Sequence, residues 1–235
     1  MGQSVLFATV ASAGLVLGAV VGMRSMPPAR VLAALLAFAS GALVAALAFE
    51  LFEESFVQGG PVTSAAGLAA GSVVYVITEV LLDRRAQAAG RSVSGVVLLA
   101  GVVLDGIPEN LALGTTLAAG GGSVALLAAI FISNVPEAMV GARSMCDNGR
   151  SVRFALGTWF AAAAVLAIAI LAGAFLLADV GESTLSVILA FAGGAVLAAL
   201  STTLFPRAYR DGGSWVALAT VAGFLLAFTL GTVGQ

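Results

Sequence analysis

Eight apolar stretches of about twenty residues follow one another with little between them, and this pattern constrains the fold more than any other feature. A run of 18 or more apolar residues is long enough to cross the hydrocarbon core as a helix. By hydropathy the stretches fall near 4–22, 31–56, 62–82, 94–118, 123–144, 154–178, 183–205 and 214–233. They use nearly all of the 235 residues, so the expected organisation is one transmembrane domain over 1–235 with no separate soluble domain. Composition agrees: 60% of residues are apolar, 9% are charged, and the mean hydropathy is +1.11. A soluble domain carries about a quarter charged residues. The opening MGQSVLF has no basic n-region, so the first stretch reads as a span and not as a signal peptide.

The arginines test that count. All ten basic residues are Arg. Arg24 and Arg30 lie between spans 1 and 2, and Arg84, Arg85 and Arg91 between 3 and 4. Arg143, Arg150 and Arg153 lie between 5 and 6, and Arg207 and Arg210 between 7 and 8. The other connections, near 57–61, 119–122 and 179–182, have none. Eight spans therefore put every Arg on one face. By the positive-inside rule that face is cytoplasmic, which predicts a multi-pass protein of the cytoplasmic membrane with both termini outside.

An internal repeat is also visible. FASGALVAALAFELF at 38–52 aligns with FAGGAVLAALSTTLF at 191–205, a shift of 153 with nine of fifteen positions identical. The same shift sets Gly59-Gly60 on Gly212-Gly213. Span 2 runs inward to outward and span 7 the reverse, so the halves are inverted, as in many secondary transporters. Spans 1–3 (4–82) and 6–8 (154–233) form the pair, with 4 and 5 (94–144) between them. The expected fold is all-α, with eight transmembrane helices in a 3+2+3 inverted-repeat arrangement.

Spans 4 and 5 carry the chemistry. DGIPENLALG at 105–114 and SNVPEAMVGA at 133–142 each place a polar residue, then Pro, then Glu inside an apolar segment. Asp105 and Glu109 are four apart and share a helical face; Ser133 and Glu137 repeat the spacing, with Asn134 alongside. A carboxylate in mid-span costs about 2.5–3.5 kcal/mol on the insertion scale, so Asp105, Glu109 and Glu137 together cost about 8–10 kcal/mol. A cation is the simplest compensating partner. Pro108 frees the carbonyl of Leu104, and Pro136 that of Ile132. Freed carbonyls at this depth need a partner or a wet cavity. Two kinked helices with facing carboxylates make an oxygen-rich cation site. The plainer alternative is two ordinary proline kinks with protonated glutamates.

These motifs resemble those of the ZIP (Zrt-/Irt-like) metal transporters, which carry H-N-x-P-E-G on helix 4 and H/Q-x-x-P-E-G on helix 5. By position, Asp105 stands where that family has the helix-4 histidine and Gly106 replaces the asparagine, while Pro108-Glu109 match. On helix 5, Ser133 stands at the His/Gln position, Asn134 follows, and Pro136-Glu137 match. Asn110 and Ala138 occupy the final glycine positions. In the family two adjacent metal sites share the two glutamates, and a helix-6 glutamate helps the second; helix 6 here has no acid. The resemblance therefore implies one principal metal site from Asp105, Glu109, Ser133 and Glu137, with Asn134 as a further candidate. All are oxygen donors, which suit Mn²⁺, Mg²⁺ or Ca²⁺ better than a His set would, with Fe²⁺ and Zn²⁺ still compatible.

Other features are less specific. Glu50, Glu53 and Glu54 cluster at the outer end of helix 2, as an electronegative entrance or as a helix end meeting water. Glu79 and Asp83 near the inner end of helix 3 line an exit, or Asp83 pairs with Arg84 or another neighbour; the second reading is favoured. Asp147, Asp179, Glu182 and Asp211 read as solvated loop residues, and Cys146 as an incidental thiol. Gly14, Gly18 and Gly22, and Gly67 with Gly71, form small-residue faces for internal sliding or for a homodimer seam.

The expected function is a secondary transporter moving divalent metal cations of the Zn/Fe/Mn class by alternating access. The alternatives are a proton or small-cation transporter of the same fold, or a non-transporting membrane metal sensor. No enzyme is expected. An intramembrane aspartyl protease wants two deep Asp residues and only Asp105 is deep; a metalloprotease wants His, and there is none. No GxxxxGK[ST] motif occurs for direct use of ATP. The expected partners are divalent metal cations, as substrate, and the lipid bilayer, with no cofactor and no nucleic acid.

Overall fold

The computed structural model describes residues 1–88, 95–118, 123–178 and 180–233, without the side chains of 86, 88, 95–98, 105 and 233. Arg91 and Asp179 lie outside the described residues. The described residues form helices joined by short turns, with no strand among them. These are α1 (Gly2–Arg24), α2 (Ala29–Ala46), α3 (Glu53–Ala88), α4 (Gly95–Ala118), α5 (Val124–Asp147), α6 (Val152–Leu176), α7 (Glu182–Ala199), α8 (Phe205–Gly212) and α9 (Val216–Val233). Among the described residues, five continuous helical stretches are long and apolar enough to cross a membrane: Gly2–Arg24, Ala29–Arg85, Val124–Asp147, Val152–Leu176 and Glu182–Thr232. Large apolar side chains cover the outside, with Leu218 at 65% exposure and Ile168 at 63%. A contiguous apolar exterior of this kind fits lipid, not water.

The connection expected at 57–61 is not an open loop. Helix continues to Gly60, where the backbone turns at φ 73°, ψ 178°, and restarts at Pro61. Proline suits a helix start because its missing N–H would be unsatisfied there anyway. Gly213 makes the same turn in the second half, at φ 65°, ψ −159°. Both conformations are ones that only glycine adopts readily. Hydroxyl caps open two other helices: Ser123 accepts from Leu126 N–H at 2.9 Å and Ser151 from Phe154 N–H at 3.2 Å.

The repeat extends into the backbone. Between α2 and α3 lies a π-helical turn, Leu47–Phe52, and between α7 and α8 lies another, Leu200–Leu204. In each, an N–H reaches five residues back: Glu53 to Ala48, and Phe205 to Leu200. Shifting α2 by 153 gives the bounds of α7. The packing repeats too, for α3 lies along α7 as α9 lies along α2, and α1 lies along α5 as α6 lies along α4.

Glycines set these close contacts. A methyl group at Gly41 would strike the Thr220 carbonyl, and one at Gly194 the Leu68 carbonyl; Gly223 against Phe38 and Gly71 against Phe191 repeat the relation. Gly14, Gly18 and Gly22 rest against the carbonyls of Phe131, Val135 and Met139, one helical turn apart. Both small-residue faces are therefore used inside the chain: the α1 face meets α5 and the α3 face meets α7. Without a strong hydrophobic drive in lipid, such close backbone approach is what holds helices together.

Several arginine-bearing ends gather on one side. Cys146 Sγ lies 3.6 Å from Met23 Sδ, which joins the ends of α1 and α5. Gly212 at the end of α8 packs against Ala33 near the start of α2. At the opposite side, Ser55 Oγ donates to the Ser186 carbonyl and Ser186 Oγ to the Ser55 carbonyl, both at 2.8 Å, clamping the start of α3 to the start of α7.

Candidate functional site

Pro108 and Pro136 fall near the middle of α4 and α5, and the residues around them face each other. Gly106 and Glu109 of α4 and Ser133, Asn134 and Glu137 of α5 line one cavity of about 10 Å³. Leu43 of α2, Val196 of α7 and Leu200 and Leu204 of the second π-turn complete its wall. That volume is about the room of one water-sized sphere. Glu109 is only 6% exposed. A buried carboxylate is tolerated only with hydrogen bonds or a countercharge.

Ser133 is held within its own helix, Asn134 and Gly106 by contacts from other helices. Ser133 Oγ donates to the Ile130 carbonyl at 3.0 Å, which leaves the hydroxyl oxygen able to accept or to ligate. Asn134 Nδ2 donates to the Ala11 carbonyl of α1 at 3.3 Å. Its Cβ fits the notch at Gly14, where a methyl group would lie 3.1 Å from it. The α1 glycine face thus positions a cavity residue. At Gly106 the Leu166 side chain of α6 lies 2.9 Å from where a methyl group would sit. Position 106 therefore contributes backbone to the wall, as its identity implies.

Four of the five sequence-derived metal candidates meet at this cavity: Glu109, Ser133, Asn134 and Glu137. The fifth, Asp105, belongs to α4, and its side chain lies outside the described residues. Among the described residues, no three His, Cys, Asp or Glu side chains are grouped to hold a metal ion. What the described residues offer is two carboxylates, a hydroxyl and an amide, all hard donors.

The other acids separate. Glu50 and Glu53 line a second cavity of about 170 Å³, walled by Phe49, Phe228, Gly231 and Thr232. Glu54 does not line it; its carboxylate accepts from Gln58 Nε2 at 2.6 Å. Only two of the three expected entrance residues therefore share an opening. Glu79 accepts from Thr202 Oγ1 at 3.0 Å, a bond from α3 to the second π-turn. Neither Glu79 nor Asp83 lines the Glu109–Glu137 cavity or the Glu50–Glu53 cavity. The ion pairs among the described residues are Arg143–Asp147 and Arg210–Asp211, so Asp83 does not pair with Arg84.

Two residues gain significance only in three dimensions. Arg207 of α8, which the sequence places in an inner loop, is half-buried and within electrostatic reach of Glu137. Its spacing of three from Leu204, a cavity residue, is the only sequence hint. Asn110 is 1% exposed. Its Nδ2 donates to the Gly106 carbonyl at 2.8 Å, and its Oδ1 is buried with no hydrogen-bond partner among the described residues. A polar residue directly after Pro-Glu in an apolar span was the available signal. No protein-family model matches this chain, and no curated protein matches it.

Proposed function

We propose that the protein is a secondary transporter for divalent metal cations of the Zn/Fe/Mn class, with eight spans in a 3+2+3 inverted repeat. In this reading the 57- and 51-residue helical stretches each hold two crossings, folded at Gly60 and Gly213. The observation that carries the reading is one cavity lined by both Glu109 and Glu137, from two proline-interrupted helices. Its oxygen donors match a hard or borderline dication, and its volume admits a bare ion and not a hydrated one. The Glu50–Glu53 cavity, about 170 Å³ by the same measure, has room for several water-sized spheres, so it suits a cation still carrying its shell. Asp105 completes the inner set in the resemblance to ZIP transporters. With all ten Arg facing the cytoplasm, both termini lie outside.

The test is uptake by the purified protein in liposomes, offered Mn²⁺, Fe²⁺, Zn²⁺ and Mg²⁺ in turn. Uptake of Mn²⁺, Fe²⁺ or Zn²⁺ above protein-free vesicles is expected. No uptake of any of them would reject the assignment. A second reading, a proton or small-cation transporter of the same fold, draws on one observation: among the described residues the acids, His and Cys form no group of three. Vesicles that acidify inside without any metal present would favour that reading.

A further inference from the structure

The Glu50–Glu53 cavity has a counterpart in the other half of the chain, and that counterpart is filled. Glycine contacts fix the register between the halves: Gly41 against Thr220 matches Gly194 against Leu68, and Gly223 against Phe38 matches Gly71 against Phe191. So α2 maps onto α7 at a shift of 153, and α3 onto α9 at a shift of 152. Ala45, Ala46, Phe49, Ala227 and Gly231 of the cavity wall then correspond to Ala198, Ala199, Thr202, Tyr75 and Glu79. In the first set, Ala227 and Gly231 leave a space of about 170 Å³. In the second, Tyr75 stands in place of Ala227. It is 2% exposed and packs in one cluster with Ala198 and Ala199, with Leu104 of α4 against them. One turn further along α3, Glu79 accepts from Thr202 Oγ1 at 3.0 Å and ties α3 to the second π-turn. Ala199 also lines the Glu109–Glu137 cavity. The filled region therefore adjoins that cavity, on the side where α3 runs to Arg84 and Arg85 and the π-turn leads to Arg207 and Arg210.

We propose that Tyr75 is the plug, and the Glu79–Thr202 bond the latch, of an inner gate that is closed while the Glu50–Glu53 cavity stands open. The cargo leaves through this gate toward the arginine-bearing side. Inverted repeats work in this way: one half moves against the other, so that one side closes as the other opens. The inference rests on the transporter reading, and not on which ion is carried. A buried tyrosine ring fills the space that its alanine counterpart leaves, because an aromatic side chain buries a large area. A single side-chain hydrogen bond adds little net stability, so the latch can break and remake in each cycle.

The test is thiol modification of the full-length protein in metal-free vesicles, with a single cysteine at Ala198 in a Cys146→Ser background. Ala198 belongs to the Tyr75 cluster and does not line the Glu109–Glu137 cavity. A small, charged, membrane-impermeant thiosulfonate is supplied on one face at a time. From the arginine-bearing face the parent should react slowly. Thr202→Val removes the latch with little change of shape and should speed that reaction about 2- to 10-fold, the loss of one net hydrogen bond. Tyr75→Ala should speed it further, and Tyr75→Phe, which keeps the ring, should return it to the parent rate. Should Tyr75→Ala fail to fold, Thr202→Val and Tyr75→Phe carry the same reading. An unchanged rate in Thr202→Val and Tyr75→Ala would overturn the gate, as would an equal rise from both faces, which marks loosened packing. Because labelling is read without metal, failed metal uptake by the parent beside a positive labelling result removes the metal cargo alone and leaves the gate in place.

Discussion

Gly60 and Gly213, 153 residues apart, turn the backbone through the same left-handed conformation at the same place in the two halves of the chain. Neither has an atom within 4 Å of where a methyl group would sit. The requirement for glycine is therefore conformational and not steric. Gly60→Ala and Gly213→Ala should each destabilise the protein by about 1–3 kcal/mol, the cost of holding a residue with a side chain in that region. Thermal unfolding in detergent measures it. Unaltered midpoints in both variants would mean the helices do not fold back at these glycines.

A contrasting effect is expected at Gly18, whose backbone is helical. A methyl group there would run into the Val135 carbonyl and the Ala138 side chain. Gly18→Ala should lower stability by about 1–3 kcal/mol through overpacking between α1 and α5. Gly157→Ala on α6, with nothing near its Cβ, is the control and should be neutral or gain about 0.5–1 kcal/mol from helix propensity.

The membrane orientation is checked by labelling single cysteines in a Cys146→Ser background. Impermeant reagent outside the cell should reach cysteines at Gln58 and Glu182 and should not reach those at Ser25 and Asn148. Labelling at Asn148 from outside would reverse the assignment drawn from the arginines.

Glu109 and Glu137 are expected to act as a pair. Glu109→Gln or Glu137→Gln keeps the size and removes one negative charge from a shared cavity. Metal affinity should drop by at least about 10- to 100-fold, since ligands matter no less than the groups behind them. Metal-free stability should hold or improve, because an ion in a water-poor site costs more than an amide. Parent-like uptake in both variants would remove the cavity from the transport path.

Asp105 should tune the choice of metal. A carboxylate is a hard, charged donor, whereas imidazole is neutral and borderline. Asp105→His should move the Zn²⁺/Mn²⁺ affinity ratio toward Zn²⁺, and Asp105→Ala should weaken binding of both. If the ratio in the His variant equals that of the parent, the site consists of Glu109, Glu137, Ser133 and Asn134 without it.

The sequence by itself determined that the chain is helical and apolar, that its halves repeat at a shift of 153, and that Pro108-Glu109 and Pro136-Glu137 lie near mid-helix. Those properties are local. Helical periodicity, hydropathy and spacing from a proline depend on residues a turn or two apart, so they can be read along one dimension. Tertiary structure decided the rest. Which helix each glycine face meets, and that both faces are used internally, depends on carbonyls more than a hundred residues away. The π-turns at Leu47–Phe52 and Leu200–Leu204 leave no mark in composition, because accommodating an extra residue in a turn depends on what packs around it. The separation of Glu54 from Glu50 and Glu53, the bond from Thr202 to Glu79, and the reach of Arg207 toward Glu137 follow from where helices cross, not from spacing. The Asn110 oxygen, without a hydrogen-bond partner among the described residues, is the clearest instance: a sequence shows an amide, but only a packed interior decides what meets it.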